Sequence, residues 1–562
     1  MLLKKISLHI IYIVLFFVLD YSNVYSQNYD SKLAEEKIFL FTDRMMYIAG
    51  EQIHFTVFST YSENGKHFEM SKVFYSELIS PDGKRISGGK YLFEKSSGSG
   101  SLSIPKDIIS GNYFIRAYTK YMRNNGPDSY YYIPLKIINP VYNQVIVNKN
   151  KSLLNKFSVI QDSAQMLPFS LSIEKKEYNT REKINISFKD FNLNKDSIKG
   201  LCLTVVPEAS IFRQTIQSLN ADNNTELIFY PETRGVTLTG KLVDRKSGKN
   251  LAYKTVNLSI MGDEKVFIPD ITDSVGRFYF SLPEIYGKED IFMSVGSFDG
   301  METNILVDND FCTKGVRLPS IAFDLNRKEK EVAYNFAVNH QIASHFKTNS
   351  IVTDTVINVE KSFYGSPSEI LYLDNYIKLP SLEEYFTELP SVVKVRKRKG
   401  EKYLKIYSSI ATMSVYEPLV LIDGVAIDNP EITLGIPPQR IQRIEVIDLP
   451  YIKGDLTYAG IISFISKKGD FAGVDLPKSG MFINYQFLDD ICEYYEPDVL
   501  SKNRPDTRNT VFWKTDINLN DENANKLSFF TTDTPGKYII LVRGITFSGN
   551  ILSSSITFTV KN

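Results

Sequence analysis

Along most of the chain, apolar and polar residues alternate in short runs instead of recurring every three or four positions. In "GEQIHFTVFS", Ile53, Phe55 and Val57 alternate with Gln52, His54 and Thr56. A period of two places one face of a strand against a core, so His54 is expected on the outer face as a surface strand residue. Asn64-Gly65, Asp82-Gly83 and Ser110-Gly111 punctuate the runs that follow. Short strands broken by such turns predict an antiparallel β-sandwich, here over 33–145. The same texture returns at 167–230, at 235–310 with turns at Ser247-Gly248 and Asp273 to Gly276, and at 505–562 with a turn at Pro535-Gly536.

Two stretches break the pattern. In the segment 311–370, "NRKEKEVAYNFAVNHQIASHF" predicts a helix over 326–346, capped by Asn326, with Val332, Phe336, Ala343 and Phe346 on one face. In 371–488, the apolar strands Leu419–Ile422 and Ile444–Ile447 flank an Asp423-Gly424 turn and a polar stretch. The expected fold is therefore mainly β: tandem immunoglobulin-like sandwiches, a helical connector and one α+β unit.

At 562 residues the chain exceeds what one core usually serves. Its 36 Phe and 34 Tyr favour strands. Lys plus Arg number 65, as do Asp plus Glu, so no global field draws in nucleic acid. Cys202, Cys312 and Cys492 are the three cysteines, too scattered for a disulfide framework or a zinc site. At the start, Lys4-Lys5 leads into the apolar run Ile6–Leu19, and Val24 and Ser26 suit cleavage before Gln27. A signal peptide over 1–26 is expected, since spanning a bilayer takes roughly 20 residues; an uncleaved anchor is the alternative. No later apolar stretch has membrane-spanning length, so the mature chain is expected to be exported and soluble or peripherally attached.

Candidate chemistry is sparse. His340 and His345 lie five apart on the expected helix, pointing in directions that cannot share one ion. Lys394, Arg396, Lys397, Arg398 and Lys399 form a local basic cluster in a neutral chain, suited to an acidic or anionic surface or to solvating a hairpin. Asp423 is expected to serve its turn and Glu445 to pair with a nearby arginine. Tyr130-Tyr131-Tyr132 reads as alternating strand faces, with sugar stacking as the alternative. No catalytic constellation, cofactor loop or metal cluster is found. A carboxylate pair of the glycosidase kind leaves no local pattern to find.

Several motifs carry resemblances. "TDRMMYIAGEQIHF", with Tyr47, Gly50 and Glu51, together with "GNYFIRAYT", resembles the macroglobulin-type (MG2) sandwich. "EKKEYNTREKINISF" resembles a degraded second copy, with Arg181 where glycine is expected. The thioester motif of full macroglobulins is missing: Cys492 is followed by Glu493-Tyr494. Covalent protease trapping is therefore not expected of this chain. The 235–310 region resembles the carboxypeptidase regulatory-like domain, a name that implies no peptidase activity. "PLVLIDGV", "IQRIEVI" and "YAGIISFISKKG", with Asp423, Gly424, Glu445 and Gly460, resemble the plug of TonB-dependent outer-membrane receptors. After Gly469, 93 residues remain, too few for a receptor barrel. "GKYIILVRG" near the end resembles the last strand of the first sandwich.

The resemblances imply a non-enzymatic interaction or scaffold protein of the periplasm or outer membrane. Its expected partner is an outer-membrane protein or a transport or secretion complex, met through the plug-like domain. The alternative is a surface-exposed adhesive protein whose partner is a glycan or matrix.

Overall fold

The computed structural model describes residues 35–562 except 64–65, 68–69, 96, 147–156, 162–164, 168, 190–197, 213, 219–226, 263–264, 297–301, 320–321, 346–361, 390, 399, 408–409, 477–478, 491–493, 495–503 and 518–526. The expected signal peptide, Lys399, Phe346 and Cys492 lie outside the described residues. Among the described residues, no helix is long and apolar enough to cross a membrane.

The alternation at 52–57 folds as expected. Ile53, Phe55 and Val57 are fully buried on the strand Gln52–Glu63, which pairs with Glu35–Thr42 and Ser97–Ser103. This sheet packs against a second, built on Arg85–Leu92, Val73–Ile79, Gly111–Tyr118 and Tyr131–Ile138. Met46–Ile48 joins the second sheet beside Tyr131–Ile138, in parallel. Stacked and edge-on rings, including Phe55, Phe74 and Tyr91, fill the space between. His54 departs from expectation: it is half-buried and meets the edge of Tyr494 at 6.0 Å between centroids. The outer face of its strand is covered by another sandwich instead of water.

That covering sandwich corrects the expected division of the chain. The 167–230 and 505–562 segments are not two domains but two halves of one. Ile198–Pro207 pairs with Gly536–Thr546, Leu203 opposite Val542, and also with Phe512–Lys514. Lys183–Lys189 lies between Ser170–Ile173 and Leu527–Phe530. The physical reason is burial: neither half has enough strands to cover its own apolar face. Leu201, Leu203, Val205, Ile540, Val542 and Phe558 share one core. Gln214–Ser218 leaves this unit altogether and adds to the first sandwich at Tyr132, with Phe157–Gln161 paired on its outer side as the edge strand.

The two sandwiches are geometric copies. Tyr178 stands opposite Val560 on a short parallel strand, as Tyr47 stands opposite Ile137. Tyr113 donates to the carbonyl of Ile109 and Tyr538 to that of Thr534, both at 2.7 Å, a tyrosine corner in each. Glu182 accepts from the Asn179 amide at 2.8 Å, as Glu51 accepts from Ile48 at 2.6 Å. Gly50 sits at φ 91° and its counterpart Arg181 at φ 57°, so the left-handed turn survives without its glycine.

Everything between the halves is a nested insertion. A middle sandwich pairs Thr237–Asp244 with Arg277–Ser281 and Thr303–Val307. Its other sheet holds Val266–Ile271, Thr255–Ile260 and Lys288–Val295. Met481–Gln486 completes that sheet, Phe482 opposite Phe292. This strand therefore belongs to the middle sandwich and not to the 371–488 unit in which the sequence placed it. The unit it closes around, 369–474, is a five-stranded sheet in the order Glu369–Tyr372, Ile441–Ile447, Ile461–Ser466, Leu419–Ile422, Val425–Ala426. Leu382–Glu388, capped by Ser381, covers it together with the hairpin Val393–Arg398/Glu401–Ile406.

Helix α1, Arg327–His345, starts at a reciprocal cap. Asn326 Oδ1 accepts from the Glu329 amide at 3.0 Å and Glu329 accepts from the Asn326 amide at 2.8 Å. Its buried face carries Ala333, Phe336 and Asn339. Ala343, expected on that face, is exposed, because the surface beneath α1 ends one turn earlier.

Candidate functional site

Tyr47 and Glu51, expected to serve one sandwich, sit at a seam among three parts of the molecule. The Tyr47 hydroxyl lies 2.6 Å from Asp43 Oδ1 and 2.7 Å from the Arg44 carbonyl, and burial holds its pKa well above the ordinary value. Arg44 reaches Glu51 at 3.0 Å and lies over the rings of Tyr47 and Phe336. From the split sandwich, Thr510 donates to Asp43 Oδ2 at 2.5 Å and Asn509 to Glu51 Oε1 at 2.7 Å. Asn339 of α1 donates in turn to Asn509 at 3.0 Å. Buried polar groups satisfied this way fix the relative placement of the parts. No local pattern singled out Asn339, Asn509 or Thr510, which lie more than 280 residues from the motif they complete.

Beside this seam, α1 and the split sandwich enclose a cavity of about 200 Å³ lined by Pro207, Val332, Phe336, Arg508, Pro535 and Tyr538, among others. Its arginine is occupied by Asp506 at 2.6 Å. His340 sits beside Gly50 and His345 is exposed. Among the described residues, no three His, Cys, Asp or Glu side chains gather as metal ligands. Cys202 and Cys312 are free thiols, and burial pushes the Cys202 thiol up to about 11.

In the inserted unit, Asp423 is buried in the left-handed region at φ 48°. It accepts from the Ser466 amide at 2.8 Å, the Ser466 hydroxyl at 2.6 Å and the Phe471 amide at 2.9 Å. Gly424 follows at φ 89°. Glu445 takes Arg443 and the Tyr364 hydroxyl, each at 2.6 Å. Gly460, at φ 147°, leaves no room for a Cβ, which would stand 2.2 Å from the Ile447 carbonyl oxygen. These four build the sheet; none projects chemistry into a cleft. Tyr130 and Tyr132 are likewise buried in the first sandwich.

The surface of the unit is different. Arg396, Lys397 and Arg398 are exposed on the hairpin. Arg396 donates to the Tyr407 hydroxyl at 2.6 and 3.0 Å. Lys394 turns back to the Phe386 carbonyl at 3.1 Å. Of the twenty-four large hydrophobic side chains exposed among the described residues, eleven lie between Ile370 and Ile452. Exposed apolar side chains are therefore denser along this segment than along the rest of the described residues.

Comparison with known proteins adds one assignment. The MG2 domain model matches residues 37–133, which makes the first sandwich macroglobulin-like. No curated protein matches the chain. Among solved structures, Escherichia coli alpha-2-macroglobulin activated by porcine elastase is 10% identical over 94% of this chain and 44% of its own, with a TM-score of 0.23. Salmonella alpha-2-macroglobulin reacted with methylamine is 10% identical over 93% of this chain and 23% of its own, at 0.16. The E. coli adhesin FdeC is 12% identical over 49% of this chain and 65% of its own, at 0.15. The chain spans less than half the length of these macroglobulins, and scores this low carry no argument about function.

Proposed function

We propose that the chain is an exported, non-enzymatic scaffold protein of the cell envelope whose inserted unit docks on an outer-membrane transport or secretion assembly. The observation that carries this reading is the concentration of exposed apolar and basic side chains on 369–474. The unit is an open five-stranded sheet with a core of its own, and it adds no residue to the core of the first or of the split sandwich. Its three receptor-plug motifs occupy neighbouring strands, Leu419–Ile422, Ile461–Ser466 and Ile441–Ile447. On this reading the middle sandwich is a carboxypeptidase regulatory-like adaptor, and residues 1–26 direct export.

The test is affinity capture of the tagged mature protein from crosslinked envelopes, beside a variant in which a flexible linker replaces 366–476. The boundary matters, since deletion as far as 488 would remove Met481–Gln486 and break the middle sandwich. Capture of an outer-membrane barrel by the full chain, and not by the variant, is the expected result. Equal capture by both sinks the docking reading. Retention of glycans with no barrel favours the adhesive alternative.

A further inference from the structure

Six exposed apolar side chains gather at one end of the inserted sheet. Leu419 and Ile447 both pair with Ile461, so the segments before 419 and after 447 leave from the same end. Backbone bonds tie them there: the Leu419 amide donates to Gly460 at 2.9 Å and the Ala459 amide to Glu417 at 3.0 Å. Tyr407, Ile410, Val415 and Tyr416 project from the first segment, Leu449 and Ile452 from the second. Their exposures run from 40% to 79%.

The basic hairpin starts at this end too. The Tyr407 amide donates to the Val392 carbonyl at 2.9 Å, and Ser391 reaches Glu369, which pairs with Val446, at 3.1 Å. Pairing along the hairpin sets Lys394 against Lys405, Arg396 against Tyr403 and Arg398 against Glu401. The alternate face turns Val393, Val395 and Leu404 into the core. Arg396 and Lys405 both stand over the ring of Tyr407, which joins the basic face to the apolar tips. Acids at this end are Asp448, held by Ser368, and the exposed Glu417, Asp428 and Asp455. The excess of cations lies on the hairpin, where Lys394, Arg396, Lys397, Arg398, Lys402 and Lys405 stand with one acid, Glu401, among the described residues.

Here the apolar groups stand on separate turns and the cations include lysines, which is the composition of a surface that meets headgroups. Resting on the docking reading above, we infer that this end of the inserted unit seats on an anionic lipid surface. The aliphatic tips enter the headgroup layer, the tyrosines lie at its level and the hairpin cations face the phosphates.

The experiment is co-sedimentation of the full mature chain with protein-free vesicles of phosphatidylcholine, alone or mixed with phosphatidylglycerol. Binding is expected to the mixed vesicles only and to weaken at high salt. Each basic residue near an anionic surface is worth about five-fold in binding. Arg396→Gln with Lys397→Gln and Arg398→Gln should therefore weaken sedimentation roughly a hundred-fold. Val415→Asp with Ile452→Asp should abolish it while leaving the thermal melt unchanged. Equal binding to both vesicle types, binding to neither, or no loss in either variant overturns the inference. Vesicles contain no protein partner, so failure here leaves envelope capture standing, and failed capture leaves the vesicle result standing.

Discussion

Arg181 grips Asp533 with two nitrogens, at 2.6 and 2.7 Å, across 352 positions of sequence. The pair clasps the two halves of the split sandwich, and Arg181 holds it from a left-handed backbone that costs a non-glycine residue about 1 kcal/mol. Arg181→Gly relieves that strain while losing the pair, so its net effect on stability should be within about 0.5 kcal/mol of zero. Arg181→Ala loses the pair and keeps the strain, for a loss of about 1 kcal/mol. Hydrogen bonding from Arg181 holds the Asp533 carboxyl below its ordinary value. A depressed carboxylate contributes stability above its unfolded pKa that is lost as pH falls through the folded one. Asp533→Asn should flatten the acid limb of the stability curve, measured by urea unfolding; an unchanged limb refutes the assignment.

The seam at Tyr47 yields a second expectation. Asn339→Ala removes the donor from α1 to Asn509 and should cost about 1 kcal/mol. Phe336→Ala empties the ring beneath Arg44 and enlarges the cavity beside it, with a larger loss, about 3 kcal/mol. Both losses should be local. Hydrogen exchange in α1 should accelerate while the strands of the first sandwich keep their protection. Uniform loss of protection in both would show that α1 is part of one cooperative core.

Strand positions were legible because period-two alternation is local: Ile53, Phe55 and Val57 are buried as read. The cap at Asn326 was legible for the same reason. Strand partnership was not. Nothing near Gly536–Thr546 says that its neighbour is Ile198–Pro207, and Met481–Gln486 looks like an ordinary continuation of the unit before it. Arg181 made the second copy read as degraded, although the turn needs a backbone angle and not a residue type. His54 was misread since alternation tells which face avoids the core but not what covers the other. The surface cations showed in the sequence; the apolar tips beside them became a cluster only when strand pairing brought Tyr407, Ile410, Val415 and Tyr416 to the same end as Leu449 and Ile452.

Glu36 carries a pH prediction of opposite sign to Asp533. Its carboxylate is buried among neutral donors, the Ser71 amide at 3.1 Å, the Ser71 hydroxyl at 3.0 Å and the Thr119 hydroxyl. Burial raises its pKa. A raised carboxylate contributes stability that is full below its unfolded pKa and is lost as pH rises through the folded value. Glutamine can accept from the Ser71 amide and donate to Thr119, whose hydroxyl rotates to suit. Glu36→Gln should therefore melt higher than the parent at neutral pH and converge with it as pH falls through the carboxylate range. A variant less stable at every pH would mean that the ionised form is the one the site favours.

Gly460 tests whether the inserted unit folds as a body of its own. A Cβ there meets the Ile447 carbonyl and the Ile406 side chain, at a φ that L-residues rarely adopt. Gly460→Ala should cost the unit about 3 kcal/mol, since neither backbone strand can retreat without breaking the pairing of Ile461 with Ile447. The strain falls where the apolar tips are anchored, so the tips should be displaced before the sandwiches are affected. Limited proteolysis should then cut within 407–458 first, releasing fragments that stay associated through the middle sandwich. Cleavage beginning instead within 237–307 would mean that the unit and its host unfold together, and that the docking surface cannot move independently of its scaffold.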